Sequence, residues 1–182
     1  MVFKRIIFLL CLALILVLNS AYAQKCKPLS SKKITSYGLY LGMPASELKQ
    51  KGFVAGLYVP AEKDNPSVIY TKKPAGKYEK INCWVYKDKV YRIELYFKDK
   101  SQTNYETLKK ILNKKYGKGE ELILTNAVAY ITKIEGKEVH IYLDLAEVLD
   151  RYLKVIYVYE CIDDKVDKEI ERRKAERIKN EL

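Results

Sequence analysis

The chain has 182 residues, enough for one ordinary domain or two small fused halves. It carries 34 lysine and arginine residues against 23 acidic residues, and its formal net charge is +11. The basic residues are spread along the chain instead of forming one arm, so the composition does not favour a nucleic-acid partner.

The first 23 residues have the pattern of a secretory signal peptide. Lys4 and Arg5 precede an apolar run over residues 6–18, and residues 21–23 (Ala-Tyr-Ala) match the small-residue pattern of a cleavage site. The run is shorter than the roughly 20 apolar residues of a membrane span. We expect cleavage after Ala23 and a periplasmic or secreted protein without a stable membrane span; the alternative is an uncleaved anchor. Cleavage leaves 159 of the 182 residues and lowers the charge from +11 to +9.

The next segment predicts a short helix followed by three strands. The helix begins at Pro44, whose fixed φ suits a first turn, and ends at Gly52. The strands are SVIYTKK, KINCWVYK and VYRIELYF, and a turn at residues 87–89 joins the last two.

The strand VYRIELYF alternates between apolar and polar positions. Tyr91, Ile93, Leu95 and Phe97 point one way, and Arg92, Glu94 and Tyr96 point the other way. This alternation predicts an antiparallel sheet with one packed face and one open face.

The same order of elements then recurs. SQTNYETLKKILNKKYGKG predicts a helix that ends at Gly117, and its apolar stripe contains Tyr105, Leu108, Ile111 and Leu112. The strands NAVAYITKI, KEVHIYLDL and YLKVIYVYE follow, with a turn at Glu135-Gly136. A shift of about sixty positions places Tyr70 on Tyr130, and one more residue of slip places Tyr91 on Tyr152 and Tyr96 on Tyr157.

These patterns predict an α+β fold made of two degenerate helix-plus-three-strand repeats. The repeats span about residues 34–98 and 99–161 of a domain over residues 24–161, and they form one antiparallel sheet with helices on one face. Residues 162–182 add a charged C-terminal helix with ion pairs at helical spacing and a thin apolar seam. We expect this helix to be partly detached; dimerisation through its seam stays open.

The stretch GLYLGMPASELKQKG, followed by a meander with Trp84, resembles the Gly-Met-helix motif of small bacterial envelope proteins of the BamE/SmpA type. The tandem arrangement is similar to the β-lactamase-inhibitor-protein fold, in which helices pack on one face of an antiparallel sheet. The resemblance implies protein–protein binding in the envelope without catalysis. The lipobox cysteine of the BamE/SmpA type is absent here, because Cys26 follows Gln24-Lys25.

Three cysteines remain after cleavage, and an oxidising compartment favours one disulfide among three possible pairings. In KINCWVYK, Cys83 alternates in phase with Ile81 and Val85, so it is predicted to be a buried thiol. We therefore favour a Cys26–Cys161 disulfide.

Catalytic, metal and cofactor motifs have little support in the sequence. His140 is the single histidine, and a Cys83–His140 pair lacks a third orienting group. Asp144, Glu147 and Asp150 lack the spacing of a calcium loop, and the glycines at 38 and 42 lack the ending of a phosphate-binding loop. We expect a protein that is not an enzyme and has no cofactor or metal.

Sixteen tyrosines and one tryptophan are the more informative feature. Tyrosine, tryptophan and arginine are enriched at binding hot spots, although tyrosine also simply suits strands. The candidate binding residues on the open face are Trp84, Tyr86, Arg92, Tyr96, Tyr130, His140, Tyr142 and Tyr157. The expected partner is an envelope or secreted protein, and the alternative is an anionic envelope polymer or lipid headgroups; the oligomeric state stays open.

Overall fold

The computed structural model describes Cys26, Leu29 and residues 38–56, 64–122, 126–146 and 151–181. The predicted signal peptide, Glu147 and Asp150 lie outside these described residues. The first half contains α1 (Ala45–Gln50), β1 (Val54–Ala55), β2 (Val68–Lys72), β3 (Tyr78–Tyr86) and β4 (Lys89–Phe97). The second half contains α2 (Gln102–Tyr116), β5 (Glu120–Glu121), β6 (Ala127–Ile134), β7 (Lys137–Ala146), β8 (Tyr152–Tyr159) and then α3 (Glu160–Glu181).

The eight strands form one antiparallel sheet in the order β1-β2-β3-β4-β8-β7-β6-β5. This order is symmetric about the central β4–β8 pair, so the two halves of the chain occupy equivalent places on either side of it. The predicted α+β class and the helix-plus-three-strand repeat are thereby confirmed, and each half also has a two-residue edge strand, β1 or β5.

The one-residue slip proposed within the repeat is wrong. Tyr96 pairs with Lys154, whereas Tyr157 pairs with Ile93. Since neighbouring residues of a strand alternate sides, Tyr96 and Tyr157 lie on opposite faces of the sheet.

One face of the sheet, the core face, carries the hydrophobic core. Its central row runs across six strands in the order Tyr70, Cys83, Ile93, Tyr157, Ile141 and Tyr130. Each of these six residues is at most 7 % exposed. Leu48 of α1 and Tyr105 and Leu112 of α2 belong to the same core. Both helices therefore pack on this face.

The two hairpins turn where the sequence predicts. Lys87 and Asp88 have φ values of 46° and 63°, and Glu135 and Gly136 have φ values of 52° and 74°. Two successive residues with positive φ make the type of tight turn that follows the right-handed twist of the strands.

Local signals also set the bounds of α1 and α2. Pro44 immediately precedes α1, and Gly52, with a φ of 78°, follows its last turn. The Ser101 hydroxyl caps α2 by accepting a hydrogen bond from the Asn104 amide at 3.2 Å. The predicted apolar stripe of α2 needs one correction: Ile111 is 55 % exposed and points away from the core.

The C-terminal helix α3 is attached more firmly than the sequence predicts. Ile162 and Val166 are buried in the core, and Arg177 forms an ion pair of 2.8 Å with Asp64, far away in the sequence. The seam residue Ile178 is 55 % exposed. Among the described residues, no helix combines the length and the apolar character that a membrane crossing requires.

The first turn of α3 also contains the disulfide. Cys26 and Cys161 are bonded, with their Cα atoms 5.8 Å apart, and Cys83 is a buried free thiol. The favoured pairing is confirmed. A disulfide of this kind fits an oxidising compartment.

Candidate binding face

The second face of the sheet, the polar face, is the one that α1 and α2 leave uncovered. Its three central rows follow from the strand register. They are Trp84, Arg92, Val158, His140 and Ile131; then Asn82, Glu94, Ile156, Tyr142 and Ala129; then Lys80, Tyr96, Lys154, Asp144 and Ala127. Five of the eight predicted binding residues lie here: Trp84, Arg92, Tyr96, His140 and Tyr142.

The other three predicted positions are wrong. Tyr130 and Tyr157 lie in the central row of the core face and are 3 % and 7 % exposed. The pKa of Tyr157 is raised because burial disfavours its charged form, with a smaller effect from neighbours that include the hydroxyl of Tyr116 on α2. Tyr86 is in phase with Trp84 but is only 9 % exposed and packs in the core.

A buried carboxylate organises the middle of the polar face. Glu94 is 3 % exposed, and its Oε1 atom accepts a hydrogen bond from Arg92 Nε at 2.9 Å and forms an ion pair with Nη2 at 2.7 Å. Asn82 Nδ2 and the Tyr96 hydroxyl donate to Oε2 at 3.2 and 3.0 Å. Burial alone raises the pKa of Glu94, but the Arg92 guanidinium and the amide of Asn82 outweigh it and hold the pKa below its ordinary value.

This carboxylate fixes the side chains around it. Burial and the adjacent Glu94 charge raise the pKa of Tyr96, so its hydroxyl keeps the proton that it donates. The Arg92 guanidinium also lies over the Trp84 ring, 5.4 Å from its centroid. Trp84 Nε1 is buried and has no hydrogen-bond partner in the described part of the chain. Arg92, Tyr96 and Trp84 are thus held in one arrangement.

Lysines and tyrosines alternate at one end of the polar face. Lys80 Nζ lies 4.3 Å from the centroid of the Tyr96 ring, and Lys154 Nζ lies 4.2 Å from that of Tyr152. The rings of Tyr96 and Tyr152 meet edge to face with centroids 6.2 Å apart. The Asp144 carboxylate forms an ion pair with Lys154 at 3.3 Å and accepts a hydrogen bond from the Tyr152 hydroxyl at 3.1 Å.

His140 and acidic groups occupy the opposite end. The ring nitrogens of His140 lie 2.8 Å from Glu138 Oε1 and 3.1 Å from Glu160 Oε2, and the Tyr142 hydroxyl is 3.2 Å from Nδ1. Glu160 begins α3, so the helix borders the face here. Burial, then Asp167, raises the pKa of Asp163, one turn further along α3, to about 6, against the opposing effect of Arg92.

Cys83 and His140 do not form a nucleophile pair, because the two residues lie on opposite faces of the sheet. Burial also raises the pKa of the Cys83 thiol far above its ordinary range, which disfavours the reactive thiolate. Within the described ranges, no three His, Cys, Asp or Glu side chains are grouped so that they could hold a metal ion.

Lys80, Lys154 and Tyr152 belong to the polar face but were not predicted there. A signal for the correct phase exists in the lysines. Lys133 and Lys154 each stand three residues from a misplaced tyrosine, Tyr130 and Tyr157, and an odd separation in a strand means opposite sides. Since an unpaired lysine avoids a core, the lysines indicate the polar side of β6 and β8.

Comparisons of the chain with protein-family models, with curated proteins and with solved structures found no match. The resemblance to BamE/SmpA-type and inhibitor-like proteins therefore stays a prediction from the quoted motifs.

Proposed function

We propose that this chain is an exported, non-enzymatic binding protein that engages another envelope or secreted protein through its polar face, as an adaptor or an inhibitor. Its periplasmic or secreted location is supported by the signal-peptide pattern of residues 1–23 and by the Cys26–Cys161 disulfide. The family resemblance leads to the same class of function.

One observation carries the proposal: Arg92, Tyr96 and Trp84 are fixed around the buried Glu94 on a face that α1 and α2 leave uncovered. Arginine, tyrosine and tryptophan are the residues on which interfaces most depend. Side chains that are already ordered lose little conformational entropy on binding, so the entropic cost of forming the complex is small.

The apolar content of the same face supports a protein partner. Ile131, at the end of the row that contains Trp84 and Arg92, is 63 % exposed. Tyr96 and Tyr142 are half-buried and keep part of their rings accessible. A mixture of accessible aromatic and aliphatic groups with fixed polar groups is the usual make-up of a protein interface.

A second candidate partner is an anionic envelope polymer or lipid surface. Lys80 and Lys154, each set on a tyrosine ring, favour it, because stacked rings and cations also suit anionic chains. Ionic strength separates the two classes of partner. Binding to a polyanion weakens steeply with salt, and binding through an aromatic protein interface weakens less.

The test is capture from an envelope extract by the immobilised protein, at low and at high salt. We expect one protein to be retained at both salt concentrations by the wild type and to be lost with Trp84→Ala or Tyr96→Ala. Tyr40→Ala is the matched control, because Tyr40 is also a half-buried tyrosine whose hydroxyl bonds a glutamate, Glu47 at 2.7 Å, but it lies beside α1. Capture that the Trp84 and Tyr96 variants leave intact, or that disappears at high salt for every retained component, would refute the proposal.

A further inference from the structure

The charges of the polar face are sorted along the strand direction. Lys80 and Lys154 stand on either side of Tyr96 in one row, in which Lys154 is also paired with Asp144, and Lys98 directly follows the last residue of β4. Just beyond this row, Lys73 and Lys100 lie close enough to Glu79, along with Lys80, to lower the pKa of its carboxyl; the hydrogen bond from Lys100 is the largest cause. We call this the basic end. Lys98 and Lys80 form no salt bridge among the described residues.

The opposite end of the face carries carboxylates. Glu138 and Glu160 flank His140, and Asp163, Asp164 and Asp167 continue on the same side of α3. These carboxylates lie close enough to affect one another. Burial and the neighbouring acids raise the pKa of Glu160, although His140 opposes the shift. We call this the acidic end. Two cations stand beside it: Lys133, opposite Glu138 in the register of β6 and β7, and Arg92, whose guanidinium is already bound to Glu94.

A uniformly charged partner cannot match both ends. A polyanion laid along the strands gains at Lys80 and Lys154 and is repelled at Glu138 and Glu160. A partner with the same order of charges, turned by half a turn, places its acidic end on the basic end and its basic end on the acidic end. This chain has that order itself, so its polar face is self-complementary.

We propose that a second copy of this chain docks on the polar face, face to face, about a two-fold axis that lies in the plane of the sheet and across the strands. Such a contact is isologous, so the pairing of Lys80 and Lys98 with Asp164 and Asp167 occurs twice in one interface. Tyr142, in the middle row, then faces its own counterpart, and the row of Trp84 and Arg92 faces the row of Tyr96 in the other copy.

The area of the face is sufficient for a reversible dimer. From β2 to β6 the face spans six strands, about 24 Å at the usual strand spacing, and its rows extend over about 20 Å along the strands. Each copy therefore covers roughly 500 Å² in projection, and the pair buries on the order of 1,000 Å², the lower limit for a specific interface. The dimer is accordingly expected to be weak and to dissociate on dilution.

This inference deepens the proposed function and depends on the same face. It implies that two copies of the chain cover each other's polar face until a partner with the same order of charges displaces one copy. The two ideas fail separately, because self-association is measured with the pure protein and partner binding with the extract.

The experiment is sedimentation equilibrium of the full purified protein, as recovered from cells that export it. Three charge-reversal variants are compared: Lys80→Glu/Lys98→Glu at the basic end, Asp164→Lys/Asp167→Lys at the acidic end, and Lys110→Glu/Lys114→Glu as a control on the exposed side of α2. The wild type should show a monomer–dimer equilibrium. Its dissociation constant should rise at least tenfold in each of the first two variants and stay unchanged in the control.

Mixing the first two variants is the decisive step. In the mixed pair one contact has both charges reversed and the other has both charges native, so the dimer should return. A wild type that is monomeric at every concentration, a dimer insensitive to both reversals, or a mixture that stays monomeric would each overturn the inference. Far-ultraviolet circular dichroism checks that each variant is folded; if one is not, the neutral Lys80→Gln/Lys98→Gln or Asp164→Asn/Asp167→Asn version replaces it, with weakening in place of reversal as the expected result.

Discussion

The carboxylate of Glu94 is bound by the guanidinium of Arg92 through a hydrogen bond from Nε at 2.9 Å and an ion pair with Nη2 at 2.7 Å. Both side chains come from β4, two positions apart, and Glu94 is 3 % exposed whereas the Arg92 side chain is 32 % exposed. The charge pair therefore joins a buried carboxylate to a guanidinium that is partly exposed on the polar face.

Removing the cation should destabilise the fold more than removing both partners. Arg92→Leu leaves a buried carboxylate without its cation, and we expect a loss of about 2–3 kcal/mol of unfolding free energy, below the value for a fully buried pair because Arg92 is partly exposed. The double variant Arg92→Leu/Glu94→Leu should recover at least half of that loss. Urea unfolding of the single and double variants measures the difference, and equal losses in both would contradict the account.

Asp163 gives a prediction about pH. Its folded pKa of about 6 lies above the ordinary value of about 3.8, so its contribution favours folding below pH 4 and is lost as the pH rises through 6. Asp163→Asn should therefore stabilise the protein by about 1–2 kcal/mol at pH 7.5 and have no such effect at pH 4. Asp164→Asn, one residue further on and exposed, should give a smaller gain, because Asp164 only adds to the charge that raises the pKa of Asp163. Thermal unfolding of both variants at the two pH values decides the point; a pH-independent gain would contradict it.

Two buried tyrosines on the core face should respond oppositely to loss of the hydroxyl. Tyr130 Oη is buried without a hydrogen-bond partner in the described part of the chain, and removing an unsatisfied polar atom relieves a desolvation cost. Tyr130→Phe should raise the unfolding free energy by about 1 kcal/mol. Tyr157, whose hydroxyl is hydrogen-bonded with Tyr116, should lose about 1 kcal/mol on the same change. If chemical denaturation gives both variants the same sign, the assigned hydrogen bonding is incorrect.

The cysteines and the N-terminus can be tested together by mass spectrometry. The exported protein should begin at Gln24, its non-reducing peptide map should link Cys26 to Cys161, and Cys83 should resist thiol reagents until the protein unfolds. Cys26→Ser should cost about 2–5 kcal/mol, because the disulfide closes a loop of more than a hundred residues. Retention of Met1 in a membrane fraction would contradict the processing prediction, and labelling of Cys83 in the native protein would contradict its burial.

The elements of the fold could be predicted because their signals are local. Pro44, Ser101 and the glycines set the helices, and the turn residues set both hairpins. The faces of β4 could be predicted because Arg92 and Glu94 stand in one phase and aliphatic residues in the other. In β6 and β8 both phases contain apolar residues, so the aromatic positions were uninformative there.

Long-range relations could not be predicted from such local signals. The ion pair of Arg177 with Asp64 joins residues 113 positions apart and depends on where α3 crosses the sheet. The burial of Ile162 and Val166 depends on the same docking. A charged composition predicts a helix with an exposed surface, but it does not show which of its apolar residues are buried against the rest of the domain.

Leu95 and Tyr96 are the sharpest test of the two faces, because these neighbours on β4 point in opposite directions. Leu95 is 4 % exposed on the core face, and Leu95→Ala should cost about 2–5 kcal/mol of unfolding free energy through lost burial and a cavity. Tyr96→Ala removes one hydrogen bond to Glu94 and should cost about 1 kcal/mol in folding, while partner binding weakens by about 1 kcal/mol or more. Ile131→Ala, at an exposed position of the same face, should leave folding unchanged and weaken binding. Circular dichroism melts and binding of the captured partner measure both effects; a Tyr96→Ala variant as unstable as Leu95→Ala would place Tyr96 in the core and remove it from the binding face.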